Sequence, residues 1–444
     1  MKKCIRFFVF LLLCFTSVQA ETTLESLLKD KGKMGSNYYV YSPVFKKQSK
    51  VPSGYKPFYI SHYGRHGSRY HHTAKDYQYV YETLQQAQKA GALTTLGESV
   101  LVRAEALYKE GKDRAGDLTQ KGVAQQQEIA KRMYQNFPAL FKGDAFIKAY
   151  SSTSGRCIMS MGTFLQELKA QNPRLEIYQE SSQRLMSFIS PFSFDSSKSY
   201  MESKEWKEAY DLLYGEVVHP DLLMKSLFKD SAYVSKNINP HDFLAKMYDL
   251  QSSLQGMDHV EFDFSDVMTD EIMLGRYQAQ NAWWYGVLGA GPLTYAKGPT
   301  FAKPLLKHIL EDADEIIEAD TTQNKNEKGS RKATATLRFG HDTALLGLAG
   351  LMQLDIARAQ VKDLKELYKV WNDFNLISMG ANLQMVFYKS AKKGNPILVK
   401  FLYNESEVTV PVACAAKNQC PAVPYYRFED VRNFYNAIVS KTAP

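Results

Sequence analysis

Tyr59-Ile60-Ser61-His62-Tyr63-Gly64-Arg65-His66-Gly67-Ser68-Arg69 is the stretch on which the reading of this chain turns. Its apolar lead-in, Phe58 to Ile60, has strand character and gives way to two glycines, with two arginines and a histidine inside five consecutive positions. A strand that runs into a charged turn delivers side chains to the space beyond its carboxyl end, where open α/β sheets bind ligands. Arg65 and Arg69 carry permanently charged planar forks that match phosphoryl oxygens, and Gly67, lacking a Cβ, lets backbone approach closely. The same positive charge lowers the basicity of His66 and keeps its imidazole neutral, the form that can attack phosphorus. A lone Arg-His-Gly triplet also fits a basic surface turn, so its meaning depends on the rest of the chain.

Two further junctions share this design. Phe146 to Tyr150 reads as a strand that ends in Ser151-Ser152-Thr153-Ser154-Gly155-Arg156 and then a helical run carrying Ile158, Met161, Leu165 and Leu168. Free N–H groups at a helix start, with Arg156 beside them, make a second natural anion site, although the Ser/Thr run also serves as an ordinary cap. Ala333 to Phe339 is β-prone and ends at Gly340-His341-Asp342-Thr343 before the apolar run Ala344 to Leu351. Asp342 at that helix start would also suit the helix dipole without any catalytic role.

Around these junctions the pattern is α/β. Residues 76–110 favour helix with a break at Gly91, Thr119 is placed to cap a helix carrying Val123, Ala130, Met133 and Phe137, and Leu175 to Gln179 suggests another strand. Residues 180–325 lack strand alternation and hold several helix-like stretches, so the expected organisation is an α/β core from 21–179 and 326–444 interrupted by a mostly helical insertion at 180–325. A polar linker at 324–330 returns the chain to the sheet. Val361, Leu364, Tyr368 and Trp371 fall on one helical face, Lys392-Lys393-Gly394-Asn395-Pro396 marks a hairpin, and a last amphipathic helix spans Phe428 to Val439. Residues 21–57 show no period and are expected to pack on the surface.

The chain of 444 residues is 45% apolar and 23% charged, a balance that supports a folded core rather than extensive disorder. Residues 1–20 read as a secretory signal: Lys2, Lys3 and Arg6, then an apolar run, then Val18-Gln19-Ala20 as a cleavage site. A lipoprotein signal acylated at Cys14 is the competing reading, with Leu13 a poor neighbour for it. Secreted or periplasmic localisation follows, and no later stretch predicts membrane insertion. Loss of the three basic signal residues lowers the formal charge from +8 to +5, with no Lys/Arg block, which argues against a nucleic-acid partner and for an acidic small molecule. Outside the signal, Cys414 and Cys420 are expected to form a disulfide across a short polar loop, and Cys157 to be a buried small side chain. No Cys/His cluster has ligand spacing, so no metal is expected.

Together Arg65-His66-Gly67-Ser68-Arg69, Arg156 at a strand–helix junction, and His341-Asp342 resemble the histidine acid phosphatase branch of the histidine phosphatase family, which includes phytases and multiple inositol polyphosphate phosphatases. The resemblance runs over nearly the whole mature chain and takes in Gly116-Asp117-Leu118-Thr119, similar to the family's Gly-x-Leu-Thr segment. It implies a phosphoglycerate-mutase-like core sheet flanked by helices, with a helical domain over the pocket and no cofactor. It implies that His66 forms a phosphohistidine, that Arg65, Arg69, Arg156 and His341 hold the phosphoryl oxygens, and that Asp342 protonates the leaving alcohol. Small phosphate esters are then the partners, phytate or other inositol phosphates first, with sugar or nucleotide phosphates as the broad-specificity alternative. Intact His66 and Asp342 speak against a binding protein without turnover, and export against a mutase-like transfer.

Two departures bear on substrate. Family phytases usually follow the first motif with Pro-Thr, where this chain has His71-His72-Thr73 after Tyr70. Multiple inositol polyphosphate phosphatases usually carry His-Ala-Glu, where this chain has His341-Asp342. Lys75 stands where some phytases keep a lysine for distal phosphates, and His71 and His72 are candidates for the same rim.

Overall fold

Side-chain alternation along the opening strand, β1 (Tyr55–Arg65), sets the layers of the molecule. Tyr59 and Tyr63 enter one apolar cluster and Ile60 another, on the opposite face. Phe58 through Arg65 are all buried, as befits a strand inside a sheet covered on both sides. The computed structural model describes residues 23–41, 47–194, 204–294, 298–321, 332–416 and 420–441, so the expected signal at 1–20 and the linker at 324–330 lie outside the described residues.

The other strands are β2 (Phe146–Ser151), β3 (Glu176–Ser181), β4 (Ala333–Gly340), β5 (Asn382–Ser390), β6 (Leu398–Tyr403), β7 (Ser406–Val408) and β8 (Tyr425–Arg427). They lie in the order β3-β2-β4-β1-β5-β6-β7, with β8 against β6. The first four are mutually parallel and β5 joins β1 antiparallel. Register places Arg65 opposite Gly340 and Ser151 opposite Phe339, so β1, β2 and β4 end side by side. The three junctions singled out above therefore open at one edge of the sheet.

Helices Gln120–Asn136 and Gly155–Gln171 cover the face that carries Ile60. Lys303–Thr321, Asp342–Leu351 and Phe428–Val439 cover the face that carries Tyr59 and Tyr63. A separate apolar cluster lies among helices and the loops that connect them, away from the sheet strands. It draws on both sides of the boundary expected at 180: Ala74–Lys89 and Thr95–Gly111 pack there with Pro220–Leu227, Pro240–Leu254 and Asp270–Val287, through residues such as Leu84, Leu107, Leu223, Phe243 and Tyr277.

Two local expectations are corrected. The spacing of Val361, Leu364, Tyr368 and Trp371 does not make a helix; only Leu367–Lys369 forms a short 3-10 turn. Tertiary and local bonds replace the helical ladder there: the Val361 N–H donates to Tyr285 Oη at 2.7 Å, and Asp363 accepts from the Lys365 N–H at 3.0 Å. The 21–57 lead-in does not merely coat the surface. Its 3-10 segment Lys31–Tyr38 buries Met34, Gly35, Ser36 and Tyr38, and Leu27 is also buried. The Cys414–Cys420 disulfide is present, with a Cα separation of 5.6 Å, and Cys157 is a buried free thiol.

Candidate active site

Past Arg65 the chain leaves β1 but stays stitched to its neighbours. The Arg65 N–H donates to Ala381 O at 2.8 Å, the His66 N–H to Gly340 O at 3.1 Å, and the Gly380 N–H to His66 O at 3.1 Å. Gly67 donates its N–H to Ser160 Oγ at 3.2 Å, and Ser68 to Gln125 Oε1 at 2.8 Å. Glycine is required here by contact: a Cβ on Gly67 would meet Gly122 O at 2.4 Å, and one on Gly122 would meet Ser68 O at 2.2 Å. Thr119 caps the Gly122 helix, accepting from the Gly122 N–H at 3.1 Å, and its hydroxyl also reaches Ser68 O and Gly256 O. The Gly116-Asp117-Leu118-Thr119 segment thus lies against the turn as a short bridge, Arg69 to Leu118.

His66 is buried, and its Nδ1 lies 2.8 Å from Gly67 O. A carbonyl only accepts, so Nδ1 carries the hydrogen and Nε2 keeps its lone pair. Burial first, then Arg65, Arg156, Arg69 and His341, push the imidazole pKa well below its ordinary value. The neutral, nucleophile-competent histidine expected from sequence is what these surroundings favour.

Arg65 is fully buried, ion-paired to Asp342 Oδ2 at 2.7 Å, and donates to the carbonyls of Asn37 and Ile377. Burial lowers its pKa to about 10 against the opposing charge of Asp342. Arg69 stands over the Tyr38 ring at 5.2 Å and donates to Tyr70 O at 2.9 Å. The Arg156 guanidinium lies 3.4 Å from His341 Nδ1. The Nε donors of Arg69 and Arg156 are buried with no partner among the described residues, and neither arginine has a carboxylate partner there. Buried donors without acceptors are costly, and an anion bound between them would satisfy both.

His341 Nε2 lies 3.1 Å from Ser152 Oγ, its main-chain N–H donates to Tyr63 Oη at 3.2 Å, and its ring stands edge-on to that of His66 with centroids 5.7 Å apart. Burial and the Arg156 charge lower its pKa to about 4. Asp342 accepts from Asn37 Nδ2 at 3.0 Å and from the Thr343 N–H at 2.8 Å. Burial raises its pKa, but Arg65, His341 and Arg69 outweigh that and hold it at about 2. Three arginines face one carboxylate, which leaves room for about two negative charges, those of a phosphate monoester.

Of the expected site residues, Arg65, His66, Arg69, Arg156, His341 and Asp342 converge. Lys75 is exposed in the first turn of the Ala74–Lys89 helix, and no ion pair or side-chain bond ties it to that group among the described residues. His71 is fully buried and turned away from any rim, toward Tyr38 and Asp76. His71, His72 and Asp76 bring ligand-type atoms within 4.8 Å of one another, but Lys246 Nζ sits 2.7 Å from Asp76 and opposes a cation there. Asn37, Tyr38 and Ser152 were not singled out from sequence. A side-chain bond spanning 305 residues, as from Asn37 to Asp342, leaves no local signal.

The profile of the histidine phosphatase superfamily, branch 2, matches residues 64–404. This chain belongs to that family. Like the family, this histidine phosphatase is a phosphate monoester hydrolase. Among solved structures it is similar to the Bifidobacterium longum multiple inositol polyphosphate phosphatase in complex with inositol hexasulfate, with TM-score 0.68 and 17% identity over 91% of this chain and 97% of that one. It is also similar to the phytase from D. castellii, with TM-score 0.63 and 16% identity over 93% and 86% of the two chains. The Hafnia alvei phytase in complex with tartrate gives TM-score 0.52 and 13% identity over 88% and 98%. At these identities the likeness is one of fold, an α/β sheet with helices and a helical layer. No curated protein matches the sequence. Among the described residues no helix is long and apolar enough to cross a membrane.

Proposed function

We propose that this histidine phosphatase is exported and hydrolyses phosphate monoesters through a phosphohistidine on His66, with inositol phosphates as its preferred substrates. The observation that carries the chemistry is the state of His66: Nδ1 is committed to Gly67 O, Nε2 has no partner among the described residues, and three guanidinium groups act on the ring. Nε2 attacks phosphorus and forms the N–P bond while the ester P–O bond breaks. The phosphoryl charge spreads onto Arg65, Arg69, Arg156 and His341, and positioning with charge stabilisation is most of what phosphoryl transfer requires.

The departing alkoxide takes a proton from Asp342. In the free protein that carboxyl is ionised, since its pKa is held at about 2. A bound phosphate draws Arg65 off Asp342 and adds negative charge beside it, and both effects raise the pKa so that the proton is taken up as substrate binds. Such acid catalysis is worth roughly 10² to 10⁴ in rate. Water then cleaves the N–P bond, with Asp342 as base.

The inositol phosphate preference is supported by the family and by the names of the similar structures. Phosphate release from phytate, glucose 6-phosphate and p-nitrophenyl phosphate, compared at equal concentration, tests it. A preference for phytate in kcat/KM supports the reading; equal values across the three favour a broad-specificity acid phosphatase.

A further inference from the structure

Tyr38, His71 and Asp76 form a buried line behind Arg69 that the chemistry above leaves unused. Tyr38 Oη lies 2.8 Å from His71 Nδ1, His71 Nε2 lies 2.7 Å from Asp76 Oδ2, and Asp76 Oδ1 lies 2.7 Å from Lys246 Nζ. His71 is fully buried, and Tyr38 and Asp76 are each 6% exposed. Arg69 stands over the ring of the same Tyr38.

The Asp76 end sets the order of the hydrogens along this line. Burial raises the Asp76 pKa, but the bonds from His71 and Lys246 hold it at about 2, so the carboxylate only accepts. His71 Nε2 therefore carries the hydrogen, which leaves Nδ1 as the ring atom that faces the Tyr38 hydroxyl and can accept from it. Burial keeps that phenol well above its usual pKa, against the charge of Arg69, so Tyr38 remains a neutral donor to His71. Its oxygen has only lone pairs left to present, and Arg69 is the cation beside it.

We propose that Tyr38, His71 and Asp76 are positioning residues: they turn the Tyr38 hydroxyl proton away from Arg69, so that the phenol oxygen and ring hold the guanidinium in the orientation that grips a phosphoryl group. This rests on the reading of Arg69 as a phosphoryl ligand. The line also explains His71, whose place after the first motif suggested substrate contact. Through Lys246 it anchors the site to the Pro240–Leu254 helix of the helical layer. Asp76→Asn keeps the shape but can present an amide N–H to Nε2; the tautomer then reverses, Nδ1–H donates to Tyr38, and the hydroxyl proton faces Arg69.

The test is steady-state hydrolysis of p-nitrophenyl phosphate by the full chain, with calorimetric binding of inorganic phosphate. Tyr38→Phe keeps the ring and removes the oxygen. It is expected to raise KM and the phosphate Kd about tenfold, with kcat within about threefold. Asp76→Asn should weaken phosphate binding to a similar degree, and His71 is thereby probed without truncating it. In an Arg69→Lys background, Tyr38→Phe should add less than about twofold, because the interaction it removes is already lost. Unchanged phosphate Kd in both single variants overturns the proposal, as does a tenfold effect that persists in full beside Arg69→Lys. Should the wild type bind phosphate but cleave no ester, the functional reading fails while the phosphate Kd still judges the positioning line.

Discussion

Asn37 donates from Nδ2 to Asp342 Oδ2 at 3.0 Å, and its main-chain carbonyl accepts from Arg65, the arginine paired with that carboxylate at 2.7 Å. One residue of the 3-10 segment Lys31–Tyr38 thus fixes both members of the pair on which proton delivery and phosphoryl binding depend.

Asn37→Ala leaves the carbonyl in place and removes the amide. With its carboxyl less well aimed, the variant should lose about tenfold in kcat on alkyl phosphates, whose leaving groups need the proton, and less than about threefold on p-nitrophenyl phosphate. Equal losses on both substrates would contradict a role through Asp342.

Gly122 carries no side chain to the chemistry, yet its Cα side abuts the main chain of the phosphate-binding turn just after His66. In Gly122→Ala the new methyl would stand 2.2 Å from Ser68 O, a backbone atom that cannot swing aside. Thermal unfolding should show a loss of about 1–3 kcal/mol or more, with kcat/KM falling as the turn shifts. A variant as stable and active as wild type would show that the helix and turn are not held in this contact.

Asp373 is fully buried, and Ser36 donates to its Oδ2. Burial, opposed by the Ser36 bond and the Phe374 N–H, raises its pKa from 3.8 to about 7. The folded state therefore holds a proton that the unfolded chain releases above pH 3.8. The stability this contributes is complete in acid and is lost as the pH rises toward 7. Between pH 4 and pH 7, Asp373→Asn should gain on wild type by roughly 1–3 kcal/mol in chemical denaturation. A stability difference that stays flat with pH would show that Asp373 is ionised in the fold.

What was legible in the sequence is what local pattern can encode. Gly64, Gly67 and the flanking arginines, or Gly340-His341-Asp342 before an apolar helix, are compact signals, because a strand end and a helix start are each fixed by a few adjacent residues. Asn37 and Tyr38 gave no such signal. They sit in a segment without period, and the partners that make them matter lie elsewhere in the chain. The 361–371 spacing misled for the complementary reason: Leu364 and Trp371 are buried against the core while a tertiary bond such as Val361 N–H to Tyr285 satisfies the backbone, with no helix needed. The helical layer could not be bounded from the 180–325 stretch because helices before β2 share its core.

The central claim is that His66 accepts the phosphoryl group on Nε2. Rapid acid-free quenching of the full chain during turnover of a radiolabelled phosphate ester, followed by peptide mapping, tests it directly. The account predicts label on the His66 peptide as an alkali-stable, acid-labile phosphohistidine, absent from His66→Ala, which should also lose hydrolysis by at least about 10³-fold. Turnover at near wild-type rate in His66→Ala, or label on another residue in the wild type, would contradict it.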